Sequence, residues 1–205
     1  RPPEAEGADE ELEAGRAPLA PVPPPPEAPP SRRALTQRER RALWDSVRGI
    51  ENFWSTLAEV EQGSVMRLAR LADELRWEVL FITQRPATAG DTAQRQSQRW
   101  LDAHGFPYPS VYVMSGSRGR LAEALRLDAV VDDRPENCID VRSDSKARTL
   151  LVWRDALSLL PPSLTRLGIV PVTSFAAALD DLQELSGRLS RRPGWLDRVR
   201  ASLRI

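Results

Sequence analysis

With 205 residues, 41% hydrophobic and 28% charged, the chain has material for one globular domain and a tail. Basic and acidic residues balance at 29 each, so the total charge offers no field that would hold nucleic acid or an anionic membrane. A lone cysteine, Cys138, excludes an intramolecular disulfide. No apolar run is long enough to span a bilayer, and no signal-peptide core is present. The expectation is a protein of a reducing, cytoplasmic compartment, with no membrane partner.

Residues 1–31 hold most of the prolines, including Pro23 to Pro26, mixed with Ala and Glu. Proline removes backbone donors, and few large apolar residues are available to bury. The segment is therefore expected to be disordered or extended. Thr36 and Glu39 stand in capping-box spacing, and Leu43, Trp44 and Val47 supply the apolar face of a helix that Gly49 can end. An aromatic connection, Phe53-Trp54, follows. A second helix is predicted over Ser64–Leu75, with Val65, Leu68, Ala69, Ala72 and Leu75 on one face.

From Trp77 the pattern alternates. Trp77 to Thr83 is a near-continuous apolar run, as a strand covered on both faces should be. Asp91 is the predicted N-cap of a helix through Trp100 and Leu101, ended by Gly105. Strand Val111–Met114, helix Leu121–Leu125 and strand Ala129–Val131 come next, and the last delivers Asp132-Asp133. A helix over residues 135–142, a strand over Thr149–Trp153, a short strand over Ile169–Val172 and helices from Phe175 and from Trp195 complete the chain. Strands alternating with helices imply an α/β fold, a parallel sheet of about four or five strands with helices on both faces.

Ligands of open α/β sheets bind beyond the carboxyl ends of the strands. Three segments lie there: Thr83-Gln84-Arg85, Ser115-Gly116-Ser117 and Asp132-Asp133-Arg134. A hydroxyl with nearby backbone donors, a Gly/Ser turn and paired carboxylates suit a phosphate and a hard cation such as Mg²⁺, which needs only one or two carboxylates beside phosphate oxygens and water. The simpler alternative for Asp132-Asp133 is a cap for the helix that Pro135 begins. His104, before Gly105, suits a helix-terminus interaction, and Cys138 suits a small buried position.

The strings FITQRP, SRGR and VVDDRPEN, in that order, resemble three motifs of the haloacid dehalogenase superfamily of phosphatases, and DDRPE resembles its 5'-nucleotidase and deoxyribonucleotidase branch. The resemblance covers roughly residues 50–155. It implies a Rossmann-like core and a Mg²⁺-dependent phosphomonoester hydrolase acting on a small phosphorylated substrate, expectedly a nucleotide. Thr83 would bind phosphate, Arg120 would neutralise its charge, and Asp132 and Asp133 would hold Mg²⁺. Arg118 is a rival for the role of Arg120. Gln84, Arg85, Phe53 and Trp54 would lie near the substrate, although for the two aromatics plain packing is the simpler reading. The implied division is a disordered segment 1–31, a helical cap-like segment 32–62, a core 63–188 and a C-terminal helix 189–205.

The family nucleophile stands in an apolar strand ending in Asp-x-Asp, and no such strand occurs here: Asp9 lies in a polar stretch and Asp45 inside a predicted helix. The sheet is accordingly expected to lack its nucleophile strand, which would lie upstream of Arg1. Two other functions stay open: a non-catalytic module that binds a nucleotide or a partner, and a polynucleotide end-processing phosphatase. The latter would need a basic face from Arg95, Arg99, Arg118, Arg120 and Arg126.

Overall fold

The computed structural model describes residues 36–190, and its first helix carries the expected cap. The Thr36 hydroxyl accepts the Glu39 N–H at 3.3 Å, and the Glu39 carboxylate accepts the Thr36 N–H at 2.8 Å. The expectations for residues 1–31 and for a helix from Trp195 lie outside the described residues. Helix α1 spans Gln37–Gly49 and buries only Val47, so Leu43 and Trp44, expected on its apolar face, stay exposed. A 3-10 turn, Phe53–Ser55, leads to α2, Ser64–Leu75, which buries Val65, Leu68 and Leu71. Leu75, expected on that face, is exposed.

The alternation then runs β1 (Leu80–Thr83), α3 (Ala93–Ala103), β2 (Ser110–Val113), α4 (Arg118–Ala124), β3 (Ala129–Asp132), α5 (Pro135–Asp144) and β4 (Arg148–Val152). After β4 come α6 (Pro162–Arg166), β5 (Val170–Val172) and α7 (Phe175–Ser190). The run from Trp77 yields only the four-residue β1. Trp77 and Val79 pack instead against the core under α2 and α3, and the Trp77 indole donates to Ser186 Oγ at 2.7 Å. Thr92, not Asp91, caps α3: its hydroxyl accepts the Arg95 N–H. Asp91, one residue earlier, forms ion pairs with Arg95 and Arg99. Helix α4 begins three residues before the expected start because Ser117 caps it, accepting the Arg120 N–H at 3.0 Å.

All strand pairing among the described residues is parallel, as expected for βα alternation. The single expected sheet is, however, two: β1 pairs with β2, and β3-β4-β5 form a separate three-stranded sheet. Thus, among the described residues, β1, β2, β3 and β5 each have a partner on one side only. The Met114 N–H donates to the Thr83 carbonyl, and the Arg148 N–H to the Asp128 carbonyl, both at 2.9 Å. Alternate residues of a strand direct their backbone groups to opposite sides. The groups of Leu80, Ile82, Ala129 and Val131 therefore turn toward the sides without a paired strand.

Helix α7 joins the two halves. Leu179 packs in the cluster that holds Leu101, Phe106 and Val111, and the Arg148–Asp181 pair ties α7 to β4. Glu61 adds a second tie, accepting the Phe175 and Ala176 N–H groups at the start of α7 and pairing with Arg154. No helix among the described residues is long and apolar enough to cross a membrane.

Candidate functional site

Thr83 ends β1 and Asp132 ends β3, each a strand with one paired neighbour among the described residues. Thr83 is half-buried, and its Oγ1 accepts the Arg85 N–H at 3.3 Å, a local turn that leaves the hydroxyl proton uncommitted. Gln84 is exposed.

Protein donors hold Asp132 firmly. Its Oδ1 accepts the Arg134 N–H at 2.9 Å, and the Asn137 side-chain amide reaches Oδ1 and Oδ2 at 3.0 and 2.9 Å. These bonds close a turn ahead of α5 without capping it, since Arg134 is the N-cap and no side chain caps the helix; Asp132 remains half-buried. Asp133 is exposed and makes no hydrogen bond or ion pair among the described residues, so of the two carboxylates it is the less engaged.

The cation beside this turn is Arg118. Its Nε lies 3.5 Å from Asp132 Oδ2, and its side chain is 8% exposed. Neither Nε nor Nη1 has a hydrogen-bond partner. A guanidinium withdrawn from water with two idle donors is costly unless an anion completes it, and the nearby Asp132 does so only in part. Arg120 lies on the exposed face of α4. No hydrogen bond or ion pair among the described residues joins its side chain, or Thr83, to the acidic turn.

Phe53 and Trp54 occupy a different environment. Trp54 is buried, edge-on to Phe53 at 5.0 Å and 6.2 Å from Trp44, and its indole donates to the Pro86 carbonyl at 2.9 Å. The Arg85 guanidinium lies over its ring at 5.0 Å and donates to Ser97 Oγ at 3.1 Å. Burial pushes the Arg85 pKa down. The fully buried Gln96 completes the cluster. Its Oε1 accepts the Trp54 N–H, and its Nε2 donates to the Asp91 carbonyl and to Thr88. Trp54 is buried beneath Arg85 and beside Phe53 and Trp44, so this cluster fixes the loop after β1, and Trp54 offers no open stacking surface.

Of the arginines expected on a basic face, Arg120 and Arg126 are exposed. Arg95 and Arg99 share Asp91, and Arg118 is buried. Cys138 is fully buried, its thiol pushed up to about 12 by burial and then by the charges of Asp132, Asp133 and Glu136. His104 behaves as expected at a helix end, its Nδ1 2.6 Å from the Trp100 carbonyl and its ring stacked on Trp100.

Among the described residues, no group of three or more His, Cys, Asp or Glu side chains is gathered to hold a metal. The donor set fits Mg²⁺ only as a site of one less engaged and one engaged carboxylate that substrate oxygens and water would complete. No protein-family model, curated protein or solved structure matches the chain.

Proposed function

We propose that the chain forms most of a Mg²⁺-dependent phosphomonoester hydrolase of the haloacid dehalogenase type, acting on a small phosphorylated substrate and most naturally a nucleotide. The observation that carries the reading is the buried Arg118, with two unpartnered nitrogens, against the carboxylate turn that ends β3. Such a cation is suited to a phosphoryl group, whose oxygens would complete its hydrogen bonding. In this reading Arg118 takes the charge-neutralising role first expected of Arg120.

Asp133 would hold Mg²⁺, with Asp132 beside it kept in orientation by Asn137 and the Arg134 N–H. Bound there, the ion would supply charge neutralisation on the transferred group. Thr83 could donate its hydroxyl to phosphate.

The attacking carboxylate lies outside this sequence in the proposal. The one-sided pairing of β1 and β3 supports that part. A single parallel strand between them would satisfy Leu80, Ile82, Ala129 and Val131 together, and would end beside Thr83 and Asp132. Attack by its carboxylate would split one difficult displacement into two.

The test is turnover of nucleoside monophosphates and an aryl phosphate with Mg²⁺, by this 205-residue chain and by one extended to carry the proposed nucleophile strand. The short chain should be inactive. The extended one should turn over and lose activity on Arg118→Ala or Asp133→Asn by about a hundredfold or more. Turnover by the short chain would place the nucleophile within it. Turnover by neither would favour the binding-module reading.

A further inference from the structure

We infer that Asp140 is a positioning residue that holds Arg118 at the acidic turn, an inference that rests on the reading of Arg118 as the phosphate-site cation. Arg118 is the first residue of α4. A long guanidinium ordinarily keeps its head in water and its rotamers free. Here it is buried with Nε and Nη1 lacking a hydrogen bond, and its ion pair with Asp132, at 3.5 Å, is a loose hold that leaves room for a further restraint.

The α4–α5 junction supplies that restraint. Asp140 accepts the Gly119 N–H at 3.0 Å through Oδ2, and the Ser117 hydroxyl is 3.0 Å from Oδ1 and 3.1 Å from Oδ2. Ser117 and Gly119 flank Arg118, so its backbone is pinned from both sides. The approach is closer than a side chain allows. A Cβ on Gly119 would stand 2.2 Å from the Asp140 carbonyl oxygen and 2.9 Å from the Asp144 Cβ.

Asn137 and Asp140 sit three residues apart on α5, hence on one face of it. One helix face thereby orients Asp132 through Asn137 and anchors Arg118 through Asp140. The Gly119 N–H foremost, then the Ser117 hydroxyl and Arg118, hold the Asp140 carboxyl below its usual range against the opposing effect of burial. The anchor therefore stays ionised at neutral pH.

The test uses the full 205-residue chain. Arginine side-chain Nε–H signals are followed by ¹⁵N NMR, with Arg118 assigned by the peak lost in Arg118→Ala. Inorganic phosphate is the binding probe. Asp140→Ala should speed exchange of the Arg118 Nε–H and weaken phosphate binding, each by about tenfold or more. Asp140→Asn should fall between, since its amide oxygen can still accept the Gly119 N–H. If Asp140→Ala does not fold, Asp140→Asn and Ser117→Ala make the same comparison.

A lowered melting temperature with unchanged Nε–H exchange and phosphate affinity would overturn the inference and leave Asp140 a plain interhelical clamp. Faster Nε–H exchange, with phosphate affinity indifferent even to Arg118→Ala, would keep the positioning role and sink the phosphate reading.

Discussion

In the three-stranded sheet, β4 is buried from Thr149 to Val152, while in the two-stranded sheet β2 buries Val111 alone and exposes Ser110, Tyr112 and Val113. The strands are similar in length and in apolar content. They differ in their neighbours: β4 has a paired strand on each side, and β2 has one. Between these extremes lie β1 and β3, half-buried at every residue and each paired on one side. The strand paired on both sides is the most buried, while strands paired on one side range from half-buried to exposed, and the site residues stand at the ends of two half-buried ones.

Truncation is the sharpest way to break this comparison. Leu151 is fully buried against Cys138, Leu164 and Ile169, and Leu151→Ala should destabilise the chain by about 2–5 kcal/mol. Tyr112, 53% exposed on β2, should tolerate Ala to within about 0.5 kcal/mol. Urea midpoints at constant slope measure both. Equal losses would mean that the two sheets contribute alike.

A smaller effect is expected where α7 ties the halves together. Arg148 Nε and Nη2 each lie 2.6 Å from a separate oxygen of Asp181, a two-pronged pair. These side chains are 37% and 21% exposed, so solvent screens the attraction. Asp181→Asn should cost about 1 kcal/mol and lose much of that effect in high salt. A salt-independent loss would mean that packing, not charge, joins α7 to β4.

The smallest effect is in pH dependence. Burial tends to raise the Glu61 pKa, but the Phe175 and Ala176 N–H groups and Arg154 outweigh it and bring it below the ordinary value. A carboxylate depressed on folding stabilises the protein above its unfolded pKa, about 4.3. That contribution disappears as pH falls through the folded value. The stability difference between the native chain and Glu61→Gln should therefore be constant near neutrality and shrink below about pH 4. A difference unchanged down to acid pH would assign Glu61 a purely steric role.

Much of the α/β order was legible because capping residues and apolar periods are local signals. The Thr36–Glu39 box and the helix from Ser64 are examples. Errors arose where two adjacent residues could do the same job, as with Asp91 and Thr92, where only the folded backbone decides which hydroxyl or carboxylate meets the N–H groups. The late placement of the α4 start had the larger consequence. Ser117 is a good cap by type, and starting the helix there would have put Arg118 on its first turn beside Gly119. That Gly119 meets α5 at its backbone, and so buries Arg118, depends on a contact across 21 residues and has no local signature. The split of the sheet was equally hidden in the strands themselves, since an apolar run does not record which of its edges is paired.

Amide hydrogen exchange at Ile82 and Val131, compared with Leu151, tests the central claim most directly. The proposal is that β1 and β3, each paired on one side among the described residues, receive a further strand. In the 205-residue chain the Leu151 amide should exchange through global unfolding, while those of Ile82 and Val131 should exchange through small local openings. In a polypeptide extended to carry the proposed strand, both should gain protection approaching that of Leu151. Strong protection of Ile82 and Val131 already in the 205-residue chain, or none gained in the extended one, would contradict the account.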